Sequence, residues 1–558
     1  MTSFAKALLF LCLVAVTAPA ADQVVMNLND SGPGSLRQAV ADISAGETVT
    51  FAPILNAGLI QLSSPISISQ STTIDASDLP DGITLSGDVT GNGPTPDDGK
   101  IIQVQSAATI TFDSLTFDGG LRAIDCNASS GTLVNCTFRN LREGAVFAGG
   151  DALAIERCVF DGNQIDKGHL NGGALYNSQA IILITNSEFR NNKAGDGEGL
   201  GNATNNSAGG RGGAIHQNDG TLTIDTYTFD NNEAGLGSGD GGAISAVNGS
   251  ITIRNSTFHN NRAGVGGFAS STGRGGDGGA LFFDFSVGTV KVTHSTFSGN
   301  RAGNGGVEPN QFGGDGGAIY LGSGSLTLES TTITGNAAGD GILGAASLGG
   351  SGGGIFILSN TAIAKLENSL IAGNERGVGE SGGNPNNGTG PDIFTETFPI
   401  TQRGVNLIGS NEGVTTIFPS PQTPGDPNAH GHLVGTLETP LDPRLGPLRD
   451  NGGPTLTHLP LIGSPAFNPP GGDESSSFSV DQRGLERIIA GVQDIGAVEA
   501  PNYIVITANL RAARRASLQR QITKISRKVK SAKRRKQLSK AKRLDKKLRK
   551  LRRALRRL

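Results

Sequence analysis

The sequence contains no tryptophan and very little tyrosine, methionine or cysteine. Among 558 residues there are 4 Tyr, 2 Met and 4 Cys, and only 17% of the residues are charged. After the first twenty residues, no apolar run approaches the roughly 18 residues that a membrane-spanning helix needs. We therefore expect no such helix in the mature chain, and the sparse charge disfavours a helical enzyme.

Glycine is abundant instead, and it marks a repeat. The chain has 84 Gly, about twice the average share. Six Gly-Gly pairs, each followed by Ala or Gly and then Ile or Leu, begin 40, 29, 37, 38 and 36 residues apart, at Gly172, Gly212, Gly241, Gly278, Gly316 and Gly352. Each is followed by an alternating apolar segment such as Leu222–Ile224, which has the period of a strand with one buried face. Unequal spacing of a shared unit indicates a structural repeat with loop insertions.

A phenylalanine recurs at one place in each repeat. The first two intervals between these phenylalanines are 21 and 22 residues, and the later intervals are longer. The series is Phe117, Phe138, Phe160, Phe189, Phe229, Phe258 and Phe297. About 22 residues suits one turn of three short strands, and a longer interval is the same turn carrying a loop. We predict an all-β fold, a right-handed parallel β-helix, in which these rings align inside the column.

The repeat also resembles a known family. Gly212–Ile215 with Phe229–Asn232, and Gly241–Ile244 with Phe258–Asn261, are similar to the G-G-A-I and F-x-x-N repeats of polymorphic outer membrane proteins of chlamydial type. The resemblance spans some 200 residues. It implies a bacterial β-helix at the cell surface.

The N-terminal segment predicts export. Residues 1–20 have Lys6, the apolar run Ala7–Val16 and the cleavage site Ala18-Pro19-Ala20, so they form a signal peptide. Residues 21–58 form an N-terminal cap, where Ser35-Leu36-Arg37-Gln38 is a capping box that starts a short helix. Residues 59–409 form the β-helix. We expect a secreted protein, at the cell surface or outer membrane.

Residues 410–500 change character. Their motifs resemble the choice-of-anchor Q domain, which follows β-helices in bacterial surface proteins: Asp442–Leu448, Asp450–Thr455, Gly463–Ala466, Asp481–Gly484 and Asp494–Ala497. Asn468 departs from the Asp usual after Ser-Pro-Ala. Because the segment is rich in turns, we expect it to close the C-terminal end of the column.

Residues 501–558 form a basic helical tail. Residues 511–558 hold 23 Lys or Arg and one acid, a charge of +22, so the rest of the chain carries −25. An apolar stripe predicts an amphipathic helix whose register slips near residues 533–537. We expect the tail to bind an anionic envelope polymer or lipid, chiefly through Arg534, Arg535, Lys536, Lys546, Lys547, Arg552 and Arg553. Export disfavours nucleic acid as a partner, and a coiled coil requires anions to neutralise the charge.

Three carboxylates are the candidate metal-binding or catalytic residues. Asp240, Asp277 and Asp315 each precede a Gly-Gly pair and should stack in successive coils, where they could hold calcium or act on a carbohydrate. The alternative is that they are polar corner residues, like Asn171 and Arg211 in the same slot. The signatures of pectin hydrolases and the calcium-binding nonapeptide are absent. We therefore assign no catalytic residue and no cofactor, and calcium is the one metal left open.

Two functions remain from the sequence. The first is a non-catalytic rod for adhesion or surface display, with a carbohydrate or host-surface ligand on a fringe of loops such as Gly195–Gly210 and Gly264–Asp277. The second is a polysaccharide-binding enzyme, a lyase or a glycoside hydrolase. Cys136 and Cys158 should lie in neighbouring coils, either as reduced thiols or as a disulfide.

Overall fold

The computed structural model describes residues 22–88, 99–105, 107–127, 129–166, 170–197, 208–267, 273–306, 311–342, 346–358, 362–381, 383–396, 400–473, 478–489, 491–501, 503–534 and 537–556. The predicted signal peptide lies outside these ranges. Nearly every strand pair is parallel, and each strand pairs with the equivalent strand one coil later. The fold is a right-handed parallel β-helix, the hand that parallel crossovers adopt.

Each coil has three strands, and the equivalent strands of successive coils form three faces. Face 1 follows the Gly-Gly corners and consists of Ile66–Ile68, Ile102–Val104, Ile124–Cys126, Val146–Ala148, Leu175–Asn177, Ile215–Gln217, Ile244–Ala246, Ile355–Ile357 and Ile393–Thr395. Face 2 consists of Gln23–Val25, Thr48–Phe51, Thr72–Asp75, Thr109–Asp113, Ser130–Val134, Ala152–Glu156, Ile181–Thr185, Thr221–Asp225, Gly249–Arg254, Ala362–Glu367 and Ile400–Arg403. Two long strands, Leu281–Thr293 and Ile319–Glu329, continue from face 1 into face 2.

Face 3 carries the repeated phenylalanine. Its strands are Gly58–Gln61, Ile83–Ser86, Leu115–Asp118, Thr137–Arg139, Val159–Asp161, Glu188–Arg190, Thr228–Asp230, Thr257–His259, Thr296–Ser298, Thr332–Thr334, Leu370–Ile371, Leu407–Ile408 and Leu433–Val434. Two short antiparallel pairs lie outside the faces, Glu380–Ser381 with Asn384–Pro385 and Ile488–Ile489 with Val492–Gln493. A short 3-10 turn, Pro53–Leu55, precedes the first strand of face 3.

The seven predicted phenylalanines stack inside the column. All are fully buried. Successive ring centroids from Phe117 to Phe297 lie 4.9, 4.6, 4.4, 5.1, 4.7 and 4.7 Å apart, and neighbouring planes are within 10° of parallel. Ile333 and Ile371 continue the row. The prediction is confirmed, and burial of each ring contributes roughly 1.5–3 kcal/mol.

A second internal ladder uses the asparagine three residues after each ladder residue from Phe160 to Ile371. Its members are buried, and each successive coil contributes one of them: Asn163, Asn192, Asn232, Asn261, Asn300, Asn336 and Asn374. In each step the backbone N–H and the side-chain amide donate to Oδ1 of the next asparagine, as from Asn232 to Asn261 at 3.1 and 2.9 Å. The same amide donates to a phenylalanine carbonyl one coil earlier. The polar corner of every coil is thereby satisfied without water.

The N-terminal helix, α1, spans Leu36–Asp42. Ser35 caps it by accepting from the N–H of Gln38, as the capping box predicts, and Leu36 and Val40 pack on the column. Parallel pairing already includes Gln23–Val25 and Thr48–Phe51, so the column starts before residue 59, where the repeat first becomes readable.

The C-terminal end is closed by the chain that follows Ile408. Val414, Phe418 and Val434 join the main apolar core, and Leu433–Val434 pairs with Leu407–Ile408 as the last rung of face 3. Residues 445–500, which we call the strap, do not close this end. They turn back and hydrogen-bond to the side of the column, as from Gln482 to Ser256, so the expectation that residues 410–500 as a whole form an end cap is wrong for the strap.

The basic tail is two helices, α2 (Tyr503–Arg534) and α3 (Leu538–Arg556), which contact each other. The break coincides with the predicted slip of the apolar register. Among the described helices, none is long and apolar enough to cross a membrane.

Candidate binding surface

The predicted acidic row exists, and it is part of the corner. The backbone N–H of Asp277 donates to Asp240 at 2.9 Å, and those of Asp315 and Ser351 donate to Asp277 and Asp315 at 2.6 Å. Arg211 pairs with Asp240 at 3.0 Å. Arg274 pairs with Asp277 at 3.0 Å and also with Asp315.

The carboxylates are buried beneath the arginines. Burial raises the pKa of Asp240, Asp277 and Asp315, and the neighbouring Arg211 and Arg274 oppose that rise. Their oxygens face backbone N–H groups and guanidinium groups. Among the residues described, no group of three or more His, Cys, Asp or Glu side chains is placed to hold a metal ion. The geometry therefore favours a structural role for these three aspartates, as polar corner residues, over metal binding or catalysis.

A row of aromatic rings that the sequence analysis missed lies beside these carboxylates. It occupies the outward position after Gly-Gly-Ala-Ile or its variants, at Phe282, Tyr320, Phe356 and Phe394, with centroids 5.0, 5.2 and 5.3 Å apart. The guanidinium carbon of Arg211 lies 5.3 Å from the Phe282 centroid. Because the rings stack face to face and Phe282, Tyr320 and Phe356 are buried, they present no open face on which a ligand could stack.

Glycines hydrogen-bond to one another across the base of the loop fringe. One column contains Gly235, Gly264, Gly303, Gly339 and Gly377, and a second contains Gly210, Gly239, Gly276, Gly314 and Gly350. Backbone N–H groups donate alternately between the columns, from Gly264 to Gly239 at 2.7 Å and from Gly276 to Gly264 at 2.8 Å. A Cβ on Gly264 would lie 1.9 Å from the carbonyl oxygen of Gly235, so this close approach requires glycine.

This glycine ladder joins the two ends of each loop. The Asn-x-Ala-Gly that recurs after the ladder residues from Phe189 to Ile333 is its signal in the sequence, as at Asn232–Gly235 and Asn261–Gly264. The loops between the two columns, such as Gly195–Gly210 and Gly264–Asp277, therefore leave the column from a fixed base. Parts of these loops, 198–207 and 268–272, lie outside the described residues.

The strap covers the C-terminal half of face 3. Thr257 Oγ1 donates to Leu456 O at 2.6 Å, and Ser298 Oγ lies 2.9 Å from His458 Nε2. Further along, Ala497 N donates to Thr332 Oγ1 at 3.0 Å. These contacts join residues 160 to 200 positions apart in the chain.

Gln482 is the central anchor of the strap. Its amide nitrogen donates to Ser256 O at 3.2 Å and to Thr257 Oγ1 at 3.0 Å, and its oxygen accepts from Thr296 Oγ1 at 2.7 Å. It is 1% exposed. The strap thus binds the outward threonines of two successive coils.

Buried charges hold the strap in shape. Arg487 donates to Asp494 O at 2.9 Å and to Gly496 O at 2.6 Å. Glu499 accepts the N–H groups of Asp494 and Ile489 at 3.0 Å each. Burial raises the pKa of Glu499 to about 8 and that of Asp494 to about 6. The motif at 494–497 is therefore an internal support of the strap. The motif at 481–484 supports the strap through Asp481, which accepts from Arg483 at 2.7 Å and from Glu499 N at 2.9 Å, and anchors it to the column through Gln482.

The uncovered half of face 3 carries an alternating row of charges. The outward residues after the ladder phenylalanines are Asp118, Arg139, Asp161, Arg190, Asp230 and His259. Pairs form at 2.8 Å (Arg139–Asp118), 3.0 Å (Arg190–Asp161) and 2.8 Å (His259–Asp230). Opposite charges meet on adjacent coils from Asp118 to Arg190, and His259 is hydrogen-bonded to Asp230, so the row is stable in water without a covering segment.

A cavity of about 470 Å³ lies on face 3 at the edge of the strap nearest the N-terminal end of the column. Pro454 and Thr455 of the strap form one wall. The column supplies the rest from three successive coils, at Arg157–Val159, Asn186–Glu188, and Thr226 with Thr228. The cavity is polar and falls in the size range of small-ligand sites.

A second cavity of about 500 Å³ contains a buried carboxylate, Asp392. Asp392 ends the asparagine ladder: it accepts from the amide of Asn374 at 2.8 Å and from Ser410 N at 2.7 Å. Burial raises its pKa to about 7. Arg376, on the same cavity, is paired with Glu412 at 2.6 Å.

The tail presents part of the predicted basic set. Lys546, Lys547 and Arg552 are exposed. Arg535 and Lys536 lie outside the described residues, as do the side chains of Arg534 and Arg553. Val529 and Leu548 are buried, so the apolar stripes of the two helices are at least partly turned inward. The three cysteines in the described chain, Cys126, Cys136 and Cys158, are buried free thiols.

Comparisons with known proteins agree with the fold. Residues 122–309, about a third of the chain, match the family model described as right handed beta helix region. The chain is similar to PfbA, a surface adhesin of Streptococcus pneumoniae, at 10% identity and a TM-score of 0.32, covering 70% of this chain and 92% of that one. It is also similar to tailspike protein 3 of bacteriophage CBA120, at 12% identity and a TM-score of 0.24, covering 69% of this chain and 55% of that one. No curated protein matches the sequence. The family model over residues 122–309 agrees with the β-helix described above.

Proposed function

We propose that this chain is an exported surface rod that displays loops for adhesion, and that its basic helices attach it to an anionic surface. The observation that carries the proposal is the glycine ladder. Hydrogen bonds such as Gly276 N to Gly264 O close each loop at its base. Loop sequence and length can then vary without disturbing the coils beneath.

The interior of the column supports a mechanical role. The phenylalanine and asparagine ladders run through successive coils without interruption, and the strap binds successive coils that are far from it in sequence. The carboxylates first considered for catalysis, Asp240, Asp277 and Asp315, bind backbone N–H groups of adjacent coils. These features stiffen a rod that displays its binding loops along one edge.

The charge distribution supports attachment through the tail. Residues 511–558 carry +22, whereas the remainder carries −25 and is repelled by an anionic surface. Each Lys or Arg close to an anionic membrane contributes up to about 1 kcal/mol, within a Debye length of about 8 Å. Leu548 is buried, so apolar insertion of that residue would require the helices to separate. Charge is therefore the main source of affinity.

Attachment is tested by fractionating cells that produce the full chain or a chain ending at residue 510. The full chain should remain with the envelope and wash off as salt is raised, and the shortened chain should appear in the medium. Vesicles of neutral or anionic lipid provide the matched surface control. Equal binding to both vesicle types, or retention of the shortened chain, would show that the tail is not the anchor.

Adhesion is tested separately by exchanging one loop between its glycine columns. Replacing residues 268–272 by a Gly/Ser segment of equal length, which keeps Arg274 and its pairs with Asp277 and Asp315, should keep the melting temperature and reduce adherence to target cells. An exchange that unfolds the column would contradict the isolating role of the ladder. Unchanged adherence after exchange of every loop would contradict loop-mediated adhesion.

A polysaccharide-degrading enzyme is the second candidate, and one observation favours it. Asp392 is a buried carboxylate in a cavity, with its pKa raised to about 7, as general acids often are. A screen of neutral and uronic polysaccharides should show turnover that disappears in Asp392→Asn and persists in the exposed control Asp426→Asn. Without turnover in the parent protein, this candidate fails.

A further inference from the structure

The cavity at the end of the strap is built from the column and the strap together. Thr455 and Leu456 occupy the coil of Asn255 and Thr257, through hydrogen bonds at 3.1 and 2.6 Å. The next three coils toward the N-terminus have outward residues at the positions equivalent to Asn255 and Thr257. The strap does not cover these residues, and they line the cavity. Face 3 is thus covered by the chain's own residues on one side of this point and open on the other.

We propose that this cavity binds a linear glycan of neutral hexopyranose units lying along the column axis. This inference rests on the proposed adhesive function and names a ligand class for a site other than the loop fringe. The floor repeats once per coil, with Asn186 beside Glu188 in one coil and Thr226 beside Thr228 in the next.

The spacing of the coils favours a sugar chain over a peptide. Equivalent side chains on adjacent coils are about 4.8 Å apart, close to the length of one hexose unit, so each sugar meets the same kind of position. An extended peptide advances about 3.3 Å per residue and falls out of register with the coils. The strap itself crosses this face in irregular turns.

The polar groups of the cavity suit hydroxyl recognition. Among the described residues, the structure gives no hydrogen-bond partner to the side chains of Asn186 and Thr228, so an amide and a hydroxyl are available. Glu188 pairs with Arg190 at 3.0 Å, and Arg157 pairs with Glu156. A charge-supported acceptor and donor therefore face the cavity from neighbouring coils.

Charge balance selects neutral sugars. Each charged residue of the cavity has an opposite partner, and the adjacent row contains Asp118, Asp161 and Asp230 between its arginines. A polyuronate would bring its carboxylates against these aspartates with no excess positive charge to offset them. The site should therefore discriminate against anionic polymers.

The test is calorimetric titration of the full chain with tri- to hexasaccharides of neutral hexoses, namely gluco- and manno-oligosaccharides, and with trigalacturonate. Thr228→Trp fills the cavity from an outward position, and Thr223→Trp is the control on face 2 of the same coil. We expect neutral oligosaccharides to bind and Thr228→Trp to weaken binding at least tenfold. Thr223→Trp should leave it unchanged, and trigalacturonate should not bind.

Glu188→Ala and Asn186→Gly give a second measure that does not depend on filling the cavity, and glycine tolerates the positive φ of 50° at position 186. Each should weaken binding severalfold while the melting temperature is retained. The proposal is overturned if no neutral oligosaccharide binds, if Thr228→Trp binds as the parent does, or if trigalacturonate or an extended peptide occupies the site instead. Loss of oligosaccharide binding with envelope retention and loop-mediated adherence intact refutes this site alone. Oligosaccharide binding without retention or adherence refutes only the proposed function.

Discussion

The side-chain amide of Asn232 donates to Oδ1 of Asn261 at 2.9 Å, and the backbone N–H of Asn232 donates to the same oxygen at 3.1 Å. Asn261 repeats the arrangement toward Asn300 at 2.9 and 3.0 Å. Each asparagine is therefore an acceptor for one neighbour and a donor to the other. A single break in this ladder leaves buried groups on both sides without partners.

Replacing Asn261 tests this ladder. Asn261→Ala removes the acceptor of two donors on Asn232 and the donor to Phe229 O. Leaving buried polar groups unpaired should cost about 2–4 kcal/mol. Thermal melting compared with the exposed control Asn218→Ala measures the effect. A melting temperature equal to that of the control would contradict the structural role of the ladder.

Gly264→Ala should destabilise the column through one added methyl group. Its Cβ would lie 1.9 Å from Gly235 O and 2.8 Å from Gly239 N, and both contacts are with backbone that cannot move alone. We expect a cost of at least about 2 kcal/mol, or failure to accumulate as folded protein. Gly99→Ala is the matched control, because its added Cβ meets nothing within 4 Å. Similar melting of the two variants would mean that the glycine contact is looser than described.

Gln482→Ala should release the strap while leaving the column folded. The change leaves Thr296 Oγ1 without its acceptor and removes the amide donor to Ser256 O and Thr257 Oγ1. Limited trypsin digestion, followed by mass spectrometry, should show faster cleavage within residues 445–500. The exposed Gln179→Ala should digest like the parent. If cleavage instead begins in the coils, the strap is not an independent unit of stability.

Stability should fall as pH rises from about 5 to about 8.5. Glu499, Asp392 and Asp494 have folded-state pKa values raised to about 8, 7 and 6. Between the unfolded and folded pKa values the folded chain holds more protons than the unfolded chain, so deprotonation favours unfolding. A folded-state pKa that lies one pH unit above the unfolded value changes the free energy of unfolding by about 1.4 kcal/mol across this interval.

The pH dependence of melting, with and without Glu499→Gln, measures this contribution. The variant should flatten the slope between pH 5 and 8.5, and the exposed control Glu375→Gln should keep the parental slope. A melting temperature that rises over this interval would reverse the sign of the prediction.

Several features could be derived from the sequence because their signals are local or strictly periodic. The alternation of Leu222 and Ile224 defines a strand with one buried face, and the capping box at Ser35 defines the start of a helix. The recurring phenylalanine gives the length of a coil. Since parallel coils stack in register, one repeated slot is enough to predict an internal ladder of rings.

Other features depended on which coils become neighbours, and only the tertiary structure decided them. The motif at 481–484 predicts a turn, but its binding to Ser256 and Thr296 joins residues that are 226 and 186 positions apart. The stacking of Asp240 and Asp277, with Arg211 in the same slot one coil earlier, was predictable from the repeat. The pairing of Arg274 with Asp277 and Asp315 was not, because Arg274 lies in a loop and not in the repeated slot. Sequence periodicity determined the column, since it repeats the same local pattern. The recurring Asn-x-Ala-Gly marks one column of the glycine ladder in the sequence. The strap and the cavity were decided by contacts between residues 445–500 and distant coils, and such contacts leave no periodic signal that identifies the partners.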